Sequence, residues 1–219
     1  MDDPRFSTGL LDVSDAARFL GIPRSTLRRW THGYAHGAPL LHVIDVAGRR
    51  EVTFAAMAEA HVLEALRQAG VRVSKIRPAL NQLAERFGRE HVLLPPNLAI
   101  DGIDVLWDYS RTEEGQDLME GRTGQIVMRE IVEDYLRYLT WADDGYPRML
   151  KFRNCQPSEV VIDPYRAFGQ PIFEDSRARV RDVANMLNAG EDPQVVADEH
   201  GVSLDDVRTA ARVLLGHAA

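Results

Sequence analysis

Arg24, Arg28 and Arg29 stand one helical turn apart or side by side in the stretch Leu10 to Trp30, LLDVSDAARFLGIPRSTLRRW. A guanidinium is a fixed cation with a planar fork of donors, suited to phosphate oxygens and to guanine edges. Ser25 and Thr26 add hydroxyls beside the exposed amides that open a helix, the end where a phosphate is most readily held. A second basic pair, Arg49 and Arg50, follows downstream. This chemistry is anion recognition rather than bond making. No serine-histidine-acid set, glycine-rich phosphate loop or metal-ligand cluster is visible, so no enzyme activity and no cofactor are expected. His32 and His36 share a glycine-containing loop without a third ligand at usual spacing, and Asp101, Asp104 and Asp108 match no cation loop. They are read as surface residues.

The elements that must position the arginines are a helix, a tight turn and a second helix. Ala16, Ala17, Phe19 and Leu20 supply the buried side of the first, with Ser14 as its expected cap. Gly21 ends it in the left-handed conformation that such a turn needs, and Ile22 drops into the core. Pro23 suits the first position of the next helix, in which Leu27 and Trp30 face inward together. Arg24, Arg28 and Arg29 are thereby left on the outer side. A helical hairpin with a solvated basic face would carry the same arginines, but turn, core spacing and charge together favour nucleic acid. Leu40 to Val46 and Glu51 to Phe54 read as two short strands around a turn, a wing whose Arg49 and Arg50 could grip phosphates flanking a groove.

The net charge of -7 hides an asymmetry. Residues 1–88 hold 12 basic and 9 acidic side chains, for +3, whereas residues 89–219 hold 14 and 24, for -10. A basic front on an acidic body suggests nucleic acid at one end and protein at the other. No apolar run approaches the roughly 20 residues of a membrane helix, and MDDPRFSTG lacks the features of a signal peptide, so a cytoplasmic location without membrane contact is expected. Cys155 is the only cysteine, which excludes an internal disulfide and points to a small apolar role.

Beyond a loose lead over residues 1–9 and the wing, Thr53 is expected to cap a helix with Met57, Val62, Leu63 and Leu66 on one side. Another carries Ile76, Leu80, Leu83 and Phe87. HVLLPP and LAIDGIDVLWDY read as strands with a hairpin at Asp101-Gly102, and RMLKFR and VVIDP as further strands. Between them Gln125 to Trp141 has a helical period and an apolar face broad enough for a core or dimer helix. In the last part, helices run from Val180 to Ala189, from the Asp192 cap to Gly201, and onward from the Ser203 cap. These three helices again have helix-turn-helix spacing, but residues 169–219 carry five arginines against nine acidic groups. Phosphate would be repelled there, so protein binding or dimerisation is the better reading. The expected fold is α+β, mainly α, in three parts: a winged helix-turn-helix (1–88), a strand-rich middle with one long helix (89–159) and a helical module (160–219).

VSDAARFLGIPRSTLRRW followed by RREVTFAAMAEAHVLEALRQAGVRVSKIRPAL resembles the MerR family's winged-helix DNA-binding domain over about the first 85 residues. That resemblance implies a recognition-helix face at Arg24 to Arg29 and a wing at Arg49 and Arg50. The long dimerising helix, effector pocket or cysteine loop of that family does not follow. About the last 60 residues, with IDP at Ile162 to Pro164, GQPIFEDSRARVRDV and LNAGEDPQVVADEHGVSLDDVRTA, resemble the small C-terminal domain of VapB-type antitoxins. Asp175, Ser176 and Arg177 replace that family's usual Gly-Thr-Arg. Together the two resemblances imply an antitoxin of a VapBC-like pair that represses its own operon, with operator DNA and a PIN-like ribonuclease toxin as partners. The expected assembly is a homodimer or a hetero-oligomer with toxin. Arg166, Arg177 and Arg179 are the candidates for meeting the toxin's carboxylates, against the alternative of surface ion pairs with Glu174, Asp175 and Asp182. A rival reading is a ligand-responsive MerR-like regulator with a pocket around Trp107, Tyr109 and Trp141.

Overall fold

The computed structural model describes residues 3–33, 38–88, 91–120 and 124–216. It opens with a short helix, α1 (Pro4–Ser7), and a strand, β1 (Gly9–Asp12), where the sequence suggested a loose lead. The cause is Arg5, which is buried with its guanidinium between the carboxylates of Asp3 and Asp144. A charge removed from water is retained only when it is paired in this way. The helix-turn-helix follows as α2 (Val13–Leu20) and α3 (Arg24–His32). Gly21 links them with φ 68°, and Ile22, Leu27 and Trp30 are buried as their spacing required. The cap of α2 is Asp12, not Ser14: the helix starts at Val13, so the Asp12 carboxylate reaches the Asp15 amide at 2.8 Å. Pro23 likewise precedes α3 rather than opening it.

The wing consists of β2 (Val43–Val46) and β3 (Arg49–Thr53), joined by Ala47 and Gly48 with φ 52° and 80°. Two successive left-handed residues give a hairpin turn whose twist matches that of its strands. Strand β1 pairs with the other edge of β3, giving an antiparallel sheet of order β1-β3-β2. Thr53 Oγ1 accepts from the Ala56 amide at 3.2 Å and starts α4 (Phe54–Gln68) as expected. The predicted one-sided burial of α4 does not hold, because every residue from Phe54 to Leu66 is buried. In α5 (Arg77–Phe87) Leu83 is buried, as is Ile76 just before the helix, while Leu80 and Phe87 lie at the core edge.

The next region departs most from expectation. His91–Pro96 is not a strand, and Leu98–Gly102 is a π-helical turn leading into α6 (Ile103–Ser110). The hairpin expected at Asp101-Gly102 is absent. Gly102 has an ordinary helical φ of -72°, and a Cβ there would lie 2.4 Å from Leu98 Cδ1. Close packing, not a turn, requires this glycine. Helix α7 (Gln125–Leu136) stops before the expected Trp141, and the chain continues into β4 (Leu139–Trp141) and β5 (Pro147–Lys151). β6 (Val160–Ile162) and β7 (Ile172–Phe173) complete an antiparallel sheet of order β4-β5-β6-β7, so residues 139–151 and 160–173 share one sheet. Cys155 is buried on the link between β5 and β6, which pushes its thiol pKa up to about 12 and keeps it protonated.

The chain ends in α8 (Val180–Asn188), α9 (Pro193–His200) and α10 (Leu204–Ala210), extended by a π-helical turn over Ala211–Leu215. Asp192 and Ser203 cap as predicted, the latter in a reciprocal box with Asp206, and Gly201 ends α9 at φ 62°. The whole is mixed α+β and mainly α, with α4 at its centre. α4 packs against α1, α2, β3, α7 and β5, and α2 packs against the Ala211–Leu215 turn. The C-terminal helices therefore buttress the back of the helix-turn-helix: the carboxylate of Asp15 is bound by Arg18 and by Arg181, and the Asn154 amide donates to Arg18 O at 2.8 Å.

Within α4, His61 is buried, lies tilted against the Tyr135 ring with centroids 4.8 Å apart, and hydrogen-bonds Tyr135 O at 2.9 Å. Burial pushes its pKa down to about 4 from 6.5. The folded state therefore resists the proton that the unfolded chain accepts, and stability is lost as pH falls below 6.5. Denaturant unfolding should show a loss of about 2 kcal/mol between pH 7 and pH 5, with a shallower dependence for His61→Gln. A flat profile would show that His61 is hydrated.

Candidate nucleic-acid interface

Helix α3 and the wing converge on a cleft of about 560 Å³, lined by Arg24, Arg28, His32, Arg49 and Arg50 together with Asp12, Val13, Ser14, Asp45 and Gly48. Arg24, Arg28 and His32 are spaced four apart on α3, so one face of the helix presents all three. The opposite face is fixed by Leu27, Trp30 and Thr31, each at most 1% exposed. Thr31 satisfies its buried hydroxyl by donating to Leu27 O at 3.0 Å, which locks the side of α3 that meets the core. Arg49 and Arg50 are the first residues of β3, next to the wing tip, and the Arg50 guanidinium donates to Thr31 O at 3.3 Å. That bond ties the wing to the end of α3.

The two carboxylates in the cleft are already engaged. Asp12 caps α2, and Asp45 Oδ1 accepts from the Gly48 amide at 2.8 Å inside the hairpin. Among the described residues, Arg24, Arg28, Arg29 and Arg49 form no ion pair with a carboxylate, whereas Arg5, Arg18, Arg67, Arg72, Arg129 and Arg181 each do. No side chain caps α3, and Pro23 O accepts from the Thr26 and Leu27 amides. The cleft can thus gather the oxygens of a polyanion backbone. Arg29, Ser25 and Thr26 stand on α3 outside the cleft wall: Ser25 and Arg29 are exposed and Thr26 is half-buried. Ser14 and His32 line the cleft without having been expected there from sequence. The four-residue spacing of His32 from Arg28 was the available signal.

Burial and the adjacent Arg50 and Arg28 hold the His32 pKa below the ordinary imidazole value, so the ring is neutral at pH 7. His36, the other histidine weighed as a ligand, lies outside the described residues. Among the described residues, no three histidine, cysteine or acidic side chains are grouped to hold a metal ion. Asp104 accepts from Arg129 at 2.7 Å and from Gln125 at 2.6 Å, a helix-to-helix tie rather than a ligand arrangement. Tyr109 is buried, and Trp107 and Trp141 are packed against the core.

Residues 9–80 match the family model described as a putative DNA-binding HTH domain, and residues 160–212 match a protein family of unknown function, DUF433. Across 94% of both chains the sequence is 37% identical to the putative antitoxin VapB45 of Mycobacterium tuberculosis. The chain belongs to the VapB45 family. The uncharacterized protein Rv2308 of the same organism is 25% identical over 93% of this chain and 91% of its own. The crystal structure of Rv2018, also from M. tuberculosis, superposes with a TM-score of 0.77 at 36% identity, covering 94% of this chain and 99% of that one. In this VapB45-family chain the cleft falls wholly within the helix-turn-helix match. No helix among the described residues is long and apolar enough to cross a membrane.

Of the C-terminal candidates, Arg166 is half-buried in the loop between β6 and β7, and Arg179 directly precedes α8 with its guanidinium 5.7 Å from the centre of the Phe168 ring. Arg177 is exposed, with φ 62°, between β7 and α8. Among the described residues none of the three pairs with Glu174, Asp175 or Asp182, so the surface ion pairs weighed from sequence do not form.

A nuclear magnetic resonance titration of the histidine rings should place His32 below a histidine in an unstructured peptide. Arg50→Ala removes one nearby cation and should move the midpoint part of the way back up. An unchanged midpoint would remove Arg50 from the cleft.

Proposed function

We propose that this chain is an antitoxin with two binding surfaces: a MerR-like winged helix-turn-helix that represses its own operon and a C-terminal module that neutralises a PIN-like ribonuclease. The observation that carries the reading is the cleft of uncompensated arginines on a chain related throughout its length to a putative VapB antitoxin. On the DNA side, Arg24, Arg28, Arg49 and Arg50 take phosphates flanking the groove, while Arg29, Ser25 and Thr26 follow the exposed side of α3. A homodimer would set two such helices about one duplex turn apart on a palindromic operator. The neutral His32 gains a proton where a phosphate replaces water beside it, so operator affinity should be greater at pH 6 than at pH 7.5.

On the protein side, a PIN-like ribonuclease holds its magnesium with clustered carboxylates, and a binding protein that brings fixed cations to that cluster blocks it without chemistry of its own. Arg166, Arg177 and Arg179 are the available cations, free of intramolecular carboxylate partners among the described residues. The acidic groups at the start of α10, Asp205 and Asp206, keep the second helix-turn-helix away from phosphate. The reading is one of binding in an aqueous compartment, the cytoplasm, where both an operator and a cellular ribonuclease are present.

Two measurements test the two surfaces separately. Fluorescence anisotropy with the promoter fragment upstream of the gene should show a steep salt dependence, reduced by about one unit of slope for each of Arg24→Ala, Arg28→Ala and Arg49→Ala. A slope insensitive to all three would end the operator reading. Co-expression with a PIN-like ribonuclease encoded beside this gene should restore growth that the ribonuclease alone arrests; the lack of any such neighbour, or failure of both rescue and co-purification, would end the antitoxin reading.

A further inference from the structure

The loop between β6 and β7 displays an aromatic side chain in a way that the fold itself does not need. Phe168 is 86% exposed, more than any other large apolar side chain among the described residues, and Tyr165 in the same loop is 53% exposed. Ala167, Phe168 and Gly169 have φ 49°, 56° and 69° in succession. The first two are L residues in a region that disfavours them, which persists only where surrounding structure imposes it. Here it is imposed on every side. The Gly169 amide donates to Arg166 O at 2.8 Å and the Gln170 amide to Ala167 O at 3.1 Å. The Gln170 side chain donates to Leu10 O at 3.1 Å, and the Tyr165 hydroxyl to Asp3 at 2.9 Å. Gly169 lies so close to Leu10 that a Cβ would stand 2.4 Å from Leu10 Cδ2. The loop is a rigid knuckle, clamped to β1 and to the residue that caps α1.

A knuckle held in a costly conformation and presenting a solvated phenyl ring has the properties of a preorganised anchor: a large apolar contact with little freedom left to lose on binding. Its surroundings specify what it fits. Arg179 stands over the ring and Arg166 is two residues away in the same turn, whereas Arg148 at the base of the loop is already answered by the buried carboxylate of Asp163 at 3.7 Å. An apolar centre flanked by cations matches an apolar socket rimmed by carboxylates. It does not match a second copy of the same knuckle, where arginine would face arginine. Nor does it match an anionic lipid surface, given the charge of -10 over residues 89–219.

We propose that Phe168 is the docking anchor for the ribonuclease partner, entering an apolar socket on that protein while Arg166 and Arg179 meet carboxylates at its rim. This rests on the antitoxin reading and gives it a contact point. The experiment is calorimetric titration of the chain with the PIN-like ribonuclease that co-purifies with it on co-expression, prepared as a catalytically silenced variant. Phe168→Ala should weaken binding about 30-fold or more, Phe168→Trp should stay near wild type, and Arg179→Ala should lose affinity and reduce its salt dependence. Thermal midpoint and operator affinity should be unchanged for Phe168→Ala, which shows that the variant is folded. Equal nuclease affinity of wild type and Phe168→Ala overturns the anchor and leaves the antitoxin reading standing. No binding by wild type overturns the antitoxin reading and the anchor with it. Loss of operator affinity or of self-association in Phe168→Ala, with nuclease binding intact, assigns the ring to DNA or to a second copy and also overturns the proposal.

Discussion

Helix α4 has no wet side from Phe54 to Leu66, and that single constraint places everything around it. A helix buried on all faces must be wrapped, so α1, α2 and β3 are drawn to it, as are α7 and β5. Its polar residues are tolerated because each is answered. His61 bonds Tyr135 O, Glu59 lies 3.1 Å from His91, and Glu64 is held by Arg67 and Gln68. The wing enters α4 directly through Thr53, so the geometry of the basic cleft is inherited from the core rather than set by flexible surface loops. Such a site keeps its arginines apart at fixed spacing before any polyanion arrives.

Electrostatic bookkeeping by sum is misleading here, and by pairing it is informative. Arginines of the body are consumed by internal structure: Arg5 by Asp3 and Asp144, Arg181 by Asp15, Arg129 by Asp104, Arg153 by Asp134 and the ring of Tyr135. Those of α3 and of the wing tip are left without such partners among the described residues. The acidic excess of the chain is therefore partly a scaffold for its own cations. The charge that a polyanion meets is local, and at ordinary salt only groups within about 8–10 Å of it count.

Legibility in the sequence followed the physics of each element. Helices α2 and α3 were readable because they are half-buried, with glycine and apolar spacing that admit one arrangement, and so were α8, α9 and α10 with their capping residues. The full burial of α4 was not, since Glu59, His61 and Glu64 mark what a sequence pattern takes for a wet side, and only their distant partners His91 and Tyr135 and the i+3 and i+4 neighbours Arg67 and Gln68 let them be enclosed. Leu98 to Tyr109 misled because Ile, Val, Trp and Tyr favour strands on propensity alone, whereas here they form helical turns that pack against α5 and α7. Asp101-Gly102 has the composition of a hairpin turn, yet the glycine is there to admit Leu98. The order of residues 3–9 depends on Asp144, far along the chain, and no local pattern announces so distant a tie. In the cleft, the arginines were found by spacing; His32 continues that spacing, while Ser14, at the start of α2, carries no local signal of its place beside the wing.

The second sheet has a bearing on how the chain came to be assembled. Strand β5 lies inside the sheet, bonded to β4 on one side and to β6 on the other, so the C-terminal part supplies the lateral partner of a strand that precedes it. Detached from that part, β5 would present a bare row of amides and carbonyls, the kind of margin that recruits foreign strands. Exchange of the tail between relatives would thus have to bring a matching β6 or carry β5 along, and recombination at the intervening loop would be selected against. The seam between the two ends of this protein is a woven edge rather than a hinge.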